Sequence, residues 1–430
     1  VVVIYAIDSK FLLIGEKHTV YKGVFKLQID GQFIEVDGKI EYTFKPFPKI
    51  TYEGAAAEVV SYMGNNNTIS LIVPEMNTHL VTLDEIKNHK YVKGVIAGYI
   101  EDENNEKFDS YVLHVVNFDK FIGELIEKNN FSYSGGVKLQ ESGWNIDIQM
   151  RHDYKSNETF KALKETNGYD ITHLIEIKKT DGSLFGKNEI IELEEILVWI
   201  LCMCSGRHVG FPVRMGIRNK EIIYEIFSTP LITRYKSRSN WFPRQKGDIA
   251  IKELFYAFYH LFQDEFVKEN LREIIHWYVE ALNSNFIDNS TIISQIGLEK
   301  LAYILLTQQH PQIISNNKYK KNGLKTNLRF ILDKVGVDTT LGESHNPLDE
   351  NFGNGPEALV DFRNHIAHPK RDEVINSYEI YDRYQIRNLG VYYLEILLLY
   401  FVNYQRVYSN RLKFPSPGGE YERVPWMEGS

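Results

Sequence analysis

Near residue 249 the hydrophobic pattern of this chain changes period, so one sheet or one bundle cannot hold the whole of it. Upstream the period is two. In "GVFKLQIDGQFIEVDGKIEYTF", Phe25, Leu27 and Ile29 share one face and Lys26 and Gln28 the other. Ile40, Tyr42 and Phe44 then alternate with Glu41 and Thr43. Asp30-Gly31 and Asp37-Gly38 sit between such runs, and pairs of this kind predict tight hairpin turns. Further strand-like runs are "TISLIVP", "YVKGVIAGYI", "DSYVLHVVNF" and "WNIDIQMRH". They predict a sandwich or barrel with mixed elements over about residues 1–180. One helix interrupts this half. "KNEIIELEEILVWILCMCSG" has helical spacing and ends at Ser205-Gly206, a C-cap pair, before strands resume in "RHVGFPVRMGIRNKEIIYEIFSTPLITRY". That return to strands places the helix inside the N-terminal module.

Downstream, apolar residues recur at helical spacing. "IAIKELFYAFYHLFQDEF", "VKENLREIIHWYVEALNS" and "NSTIISQIGLEKLAYILLTQQ" each predict a long amphipathic helix. A shorter helix, "GLKTNLRFILDKVG", ends at Gly336, and "GPEALVDFRNHIA" follows with Pro356 in its first turn. The last long helix has Ser377 as N-cap and Ile380, Tyr384, Leu389, Tyr393, Leu397 and Tyr400 as its buried stripe. Short connections favour antiparallel neighbours, hence a bundle. The fold expected is multidomain α+β: a β-rich mixed domain over 1–240, an all-α bundle over 249–412 and a surface tail over 413–430. The polar, basic segment 236–248, broken by Pro243 and Gly247, is the expected linker, with Trp241 in it a packing anchor.

Composition narrows the class. A chain of 430 residues suggests two or three domains. Its net charge of −8 argues against nucleic-acid binding over the whole surface, though not against a local basic groove. The two cysteines, Cys202 and Cys204, lie in an apolar helix at a spacing that disfavours their pairing, so buried reduced thiols and a cytoplasmic location are expected. The longest apolar runs fall short of the ~20 residues that span a bilayer, and no signal peptide is recognised.

The chemistry-bearing residues lie in "DFRNHIAHP", residues 361–369. Pro369 steers His368 away from helical dihedrals, so the helix ends at about Ala367 or His368. Arg363 and His368 are five residues apart, or ~140° on an ideal helix, and meet only if the His swings round at the helix end. Asn364 and His368 form an i, i+4 pair able to hydrogen-bond. By itself the stretch also reads as a solvated C-terminal turn, since cations suit that end of the helix dipole.

Arg-Asn, three residues, then His, late in a helical bundle, resembles the motif of HEPN domains, helical bundles found in many prokaryotic ribonucleases. "WFPRQKGDIAIKELFYAFYHLF", "LREIIHWYVEALNS" and "SQIGLEKLAYILL" resemble the HEPN domain of ApeA-type antiphage (abortive infection) proteins, and "LEEILVWILCMCSGRHVGFPV" a segment of their N-terminal domains. The likeness covers about half the chain and is diffuse over residues 1–185. It implies metal-independent RNA cleavage in a composite site shared by two protomers, hence a homodimer or even-numbered homo-oligomer. tRNA as substrate, growth arrest as outcome, a phage-derived trigger and an N-terminal sensing domain are implied in the same way. Residue by residue, Arg363 and His368 are carried over as catalytic, with Asn364 beside them. The residue types suit the task. A neutral imidazole can take a proton from the ribose 2′-OH near neutral pH. A guanidinium, always charged, can hold the scissile phosphate. No cofactor and no metal is expected.

Other readings stand beside this one. Lys318, Lys320, Lys321, Lys325 and Arg329 form a run with no acid between them, with Tyr319 and Phe330 interleaved. It is either a phosphate-tracking patch or a solvated face. His365 faces solvent, lines the cleft or helps bind RNA, solvent being the default. His365-x-x-His368 with His345, Asp361 or Asp372 offers a weak metal set. Glu299 is an exposed or capping carboxylate. The rival functions are a non-catalytic HEPN module that binds RNA or nucleotide or only dimerises, and a β domain that binds a small ligand or glycan with the helices as scaffold.

Overall fold

The computed structural model of the chain describes residues 3–9, 11, 17–29, 31–56, 69–88, 90–102, 106–128, 131–152, 156–309, 314–342, 348, 352–368, 378–413 and 421–427. They form two units. The first comprises Val1–Lys120, Glu124–Glu194 and Val209–Lys236, and the second Phe121–Gly123, Glu195–His208 and Ser237–Ser430. A β-rich N-terminal part followed by a helical C-terminal part agrees with the multidomain α+β expectation.

In the first unit, strands β1 (Val3–Tyr5), β2 (His18–Ile29), β3 (Gln32–Thr43), β4 (Lys49–Ala56), β5 (Ile69–Ile72), β6 (His79–Lys87) and β7 (Tyr91–Ile96) come first. β8 (Tyr99–Glu101), β9 (Ser110–Val116), β10 (Glu124–Lys128), β11 (Phe131–Glu141) and β12 (Trp144–Met150) follow. Helix α1 (Ser156–Thr166), β13 (Ile171–Lys179), helix α2 (Ile191–Ser205), β14 (Gly210–Arg218) and β15 (Glu221–Ser228) complete this stretch of chain. β2-β3-β4-β7-β6-β5 close a six-stranded barrel, and the rest build a nine-stranded sheet ordered β1-β10-β11-β12-β13-β9-β14-β15-β8. β9 is buried along its whole length, as a central strand of a covered sheet must be. Phe25, Leu27, Val36, Ile40, Tyr42 and Tyr52 of the barrel share one apolar cluster with Val112, Val116 and Leu174 of the sheet.

The expected turn at Asp37-Gly38 is corrected here. Both residues lie inside β3, where Gly38 pairs with Gly23 on one side and Gly54 on the other. A Cβ on Gly38 would run into the Glu53 carbonyl, so this glycine permits close strand approach rather than a reversal. The hairpin between β2 and β3 closes from Ile29 to Gln32, with Gly31 at φ +81°.

The second unit holds α3 (Gly247–Leu261), α4 (Glu265–Asn283), α5 (Ile287–Ile304), α6 (Asn316–Lys334), α7 (Gly355–Ala367) and α8 (Ile380–Phe401). A π-helical turn, Leu305–Gln309, extends α5. α5 packs on α4, α6, α7 and α8 and is the hub of the bundle. Six differences from expectation appear in this unit. α2 ends as expected at Ser205, with Gly206 at φ +63°, but from Glu195 onward it belongs to this unit and not to the N-terminal module. The "linker" is packed: Asn240, Trp241 and Phe242 are buried, and the Trp241 indole donates to the Met203 carbonyl at 2.9 Å. The tail is likewise docked. Strand β17 (Glu422–Arg423) pairs with β16 (Val407–Tyr408), and the Trp426 indole donates to the Tyr404 carbonyl at 2.9 Å. α6 is broken at Gly323, whose φ 72° and ψ 167° are not helical, so the expected short helix does begin there, and what the sequence did not announce is the helical stretch from Asn316 that precedes it. On α8, Ile380 is 72% and Tyr384 50% exposed; burial begins at Ile386, so the first turns of the helix lack the packing that their spacing suggested. Ser377 lies outside the described residues, and the N-cap is Glu379, boxed by Asp382.

At the centre of this unit Glu395, 1% exposed, accepts from Arg411 Nε at 2.7 Å and Nη2 at 2.8 Å. The Tyr278 hydroxyl at 3.1 Å and the Trp241 amide at 3.3 Å complete its shell. Cys202 and Cys204 are free and buried, as expected. Among the described residues no helix is long and apolar enough to cross a membrane.

Candidate functional site

α7 is held at its start and open at its end. Asn354 caps it, accepting from the Glu357 amide at 3.1 Å, while the Glu357 carboxylate accepts from the Asn354 amide at 3.3 Å. Pro356 occupies the first turn. Gly355 lies so close to the Tyr393 hydroxyl that a Cβ would collide with it, which seats the helix start on α8. Ala358, Leu359 and Phe362 form the buried face. The Leu359 carbonyl accepts from Gln295 Nε2 of α5 at 2.5 Å. The Phe362 ring lies 4.9 Å from that of Tyr378, with the Arg383 guanidinium 5.9 Å above it.

The opposite face carries the polar residues. Asp361, Arg363, Asn364 and His368 are all exposed. The helix ends at Ala367, and His368 leaves it with φ −134° and ψ 67°, as the proline after it predicts. Arg363 Nη1 donates to Asn364 Oδ1 at 3.2 Å. The side-chain oxygen of Asn364 is thus engaged by Arg363 and not by His368; Asn364 and His368 are joined by the ordinary helical main-chain bond, the His368 amide donating to the Asn364 carbonyl at 2.8 Å. The Asn364 side chain therefore bears on Arg363 alone. His365 departs from the solvent default. It is half-buried, its ring 5.2 Å from Tyr378.

The basic segment lies on α6, which packs beside α7. Lys318, Lys320, Lys321, Lys325 and Arg329 are all exposed. Two of them have acidic partners. Lys325 reaches Asp361 of α7 at 3.4 Å, and Arg329 reaches Asp333 at 3.9 Å. Tyr319 is an anchor and not a stacking surface: its hydroxyl donates to the Glu299 carbonyl at 3.2 Å, and its ring meets Tyr303 edge-on at 5.4 Å. Burial, followed by the nearby Glu299 charge, pushes the Tyr319 phenol well up. Glu299 itself is exposed.

The weak metal set around His365 and His368 falls partly outside the description, because His345 and Asp372 are not among the described residues. The described residues that do bring ligand atoms together are His208, His276 and Glu280, all within 4.8 Å of one another. His208 Nε2 lies 3.3 Å from Glu280 Oε1, and the two imidazoles are 5.2 Å apart. His276 and Glu280 are an i, i+4 pair on α4, a visible signal, but His208 comes from the turn after α2 and no spacing announces it. A second arrangement that sequence reasoning missed is the meeting of Arg238, Arg387 and Arg411 around one cavity.

The chain thus combines a barrel-and-sheet unit with a helical unit bearing an exposed Arg-Asn-His end. Comparison with known proteins gives it a family. It is 32% identical over 433 aligned positions to the SPbeta prophage-derived uncharacterized protein YopA of Bacillus subtilis (strain 168), a match covering 98% of each chain. Residues 103–238 match the YopA central domain and residues 264–422 the YopA C-terminal domain. The chain belongs to the YopA family. No solved structure matches it significantly.

Proposed function

We propose that this protein is a metal-independent endoribonuclease of the HEPN type, acting as a homodimer on RNA, with tRNA the substrate class. The observation that carries the reading is the free end of α7. There Arg363, Asn364 and His368 stand exposed on a helix whose other face is locked into the bundle, beside a helix carrying five exposed cations. In this reading a neutral His368 takes the proton of the ribose 2′-OH. The 2′-oxygen attacks the adjacent phosphorus, and the bond to the departing 5′-oxygen breaks, that oxygen taking up a proton from solvent. Arg363 holds the phosphate and offsets its growing charge, while Asn364 fixes the guanidinium. The products are a 2′,3′-cyclic phosphate and a 5′-OH, with no metal in the step.

One protomer offers one Arg363 and one His368, so a composite cleft needs a second copy. Ile380 and Tyr381, both more than half exposed, follow Tyr378, which packs on Phe362 of α7, and supply apolar surface that supports such docking. A relative named as prophage-derived fits a role in conflict between phages and their hosts, including abortive infection. Lys318, Lys320 and Lys321 are assigned to the RNA backbone. Lys325 has a lesser share because Asp361 already engages it.

The test is incubation of the purified full chain with total cellular RNA in EDTA, followed by mapping of the 3′ ends. Cleavage that persists and leaves cyclic phosphates is the expected result. Activity lost in EDTA and restored by a divalent ion would reject the mechanism. Folded protein that retards RNA in a gel but leaves it uncut would replace the enzyme by a binding module.

A further inference from the structure

Three arginines from distant parts of the chain line one cavity of the second unit. Arg238 comes from the packed segment before α3, Arg387 from α8, and Arg411 from the turn after β16; with Ser239, Tyr384 and Asn388 they surround about 300 Å³. Their charges are unevenly matched. Arg411 is neutralised by both oxygens of Glu395. Arg387 has neutral partners, donating to Ser290 Oγ at 3.0 Å and Asn388 Oδ1 at 3.0 Å. The nearby Asp288 is taken by Arg383, at 3.7 Å. Arg238 Nε is buried with no hydrogen-bond partner among the described residues. Two guanidiniums therefore border the cavity without a carboxylate of their own.

The mutual pressure is visible in their acidities. Burial, then Arg411 and Arg238, bring Arg387 down to about 10, and Glu395 counters this only weakly. Burial, Arg207 and Arg411 all act in the same direction on Arg238, bringing it to about 10. In a chain of net charge −8 this concentration of like charge opposes folding. Removing the repulsion would stabilise the empty protein, so a bound anion is its natural counterpart.

Charge and size select the anion. A phosphate monoester carries about −1.5 to −2 at neutral pH, which two guanidiniums match. Its oxygens suit their forked donors. A volume of about 300 Å³ admits one small ligand and not a strand. Tyr384, 50% exposed, offers a ring face on which a base can stack. The geometry points to a pocket for a nucleoside monophosphate, with Arg238 and Arg387 gripping the phosphate and Tyr384 packing on the base. This pocket stands whether or not the end of α7 is catalytic.

Calorimetric titration of the full chain with the four nucleoside monophosphates tests it, with the matching nucleosides and inorganic phosphate as controls. One monophosphate per chain is expected to bind, phosphate more weakly, and the nucleosides not measurably. Arg238→Gln and Arg387→Gln are each expected to weaken binding ~10-fold or more, the scale of a lost charge-assisted hydrogen bond. Arg238→Gln is also expected to leave the ligand-free melting temperature unchanged or higher, because it removes repulsion and breaks no bond at Nε. Folded wild-type protein that binds no monophosphate overturns the proposal. So do equal affinities in wild type and both variants, or a nucleoside as tight as its monophosphate. Phosphate binding as tightly as any nucleotide removes the base contact and with it the nucleotide assignment. A 5′-phosphorylated oligoribonucleotide that displaces the monophosphate at lower concentration makes the occupant an RNA end and equally overturns it.

Discussion

Phe362→Ala, Arg363→Ala and His368→Ala change three residues within two turns of α7 and should separate folding from chemistry. Phe362 is fully buried against Tyr378 and beneath Arg383. Its truncation loses the transfer free energy of a ring and leaves a cavity, ~3–5 kcal/mol. For a unit of this size each kcal/mol moves the melting temperature by ~2–4 °C, so a fall of roughly 6–20 °C is expected. Arg363 and His368 are exposed, and the side-chain hydrogen bond of Arg363 goes to its exposed neighbour Asn364. Their truncation should stay within ~0.5 kcal/mol, a shift of about 2 °C at most. The rates should behave in the opposite way. Loss of a general base costs ~10²–10⁴-fold, or ~3–5 kcal/mol in the barrier. Circular dichroism melts and single-turnover cleavage of an end-labelled RNA measure the two quantities on the same samples. Folded His368→Ala protein cutting at the wild-type rate would refute the catalytic assignment. His368→Ala melting as early as Phe362→Ala would refute the claim that this end of the helix is free of structural duty.

Replacing Lys318, Lys320 and Lys321 by Ser should lower the slope of log affinity against log salt by ~2, three contacts at ~0.7 each, with cleavage of bound RNA unchanged; an unchanged slope makes α6 a solvated face. Glu395→Ala strands the buried Arg411 and should cost ~3–5 kcal/mol in urea denaturation, while Glu395→Leu combined with Arg411→Met should recover much of it; a loss below ~1 kcal/mol in the single variant would show that the pair is not desolvated. His173 is fully buried in the first unit, and burial pushes its imidazole down to about 3, below the ~6.5 of an unfolded chain. The unfolded state then takes up its proton first, so this contribution is intact above about pH 6.5 and is lost as pH falls toward 3, up to ~5 kcal/mol. His173→Leu should flatten the acid limb of the stability curve, and an unaltered limb would refute the assignment.

Local pattern alone determined much of this protein. Alternation in "YVKGVI" and the short apolar run "SYVLHVV" marked strands, three- and four-residue spacing marked the helices of the second unit, and Pro369 marked the end of α7, because each signal lies within one element and one or two turns of chain. The apolar helix around Cys202 and Cys204 predicted their burial for the same reason. Tertiary structure decided what those elements meet. Asp37-Gly38 reads as a turn until Gly23 and Gly54 are found on either side of it. Ile380 and Tyr384 have the spacing of a buried stripe, but periodicity gives only the direction of a side chain and not whether anything packs there. Trp241, Glu395 and Arg411 form one buried network, and Arg238, Arg387 and Arg411 one cavity, although up to 173 positions separate their members. Long-range convergence of this kind depends on loop paths and helix packing, which carry no local period, so its chemistry becomes visible only once the chain is folded.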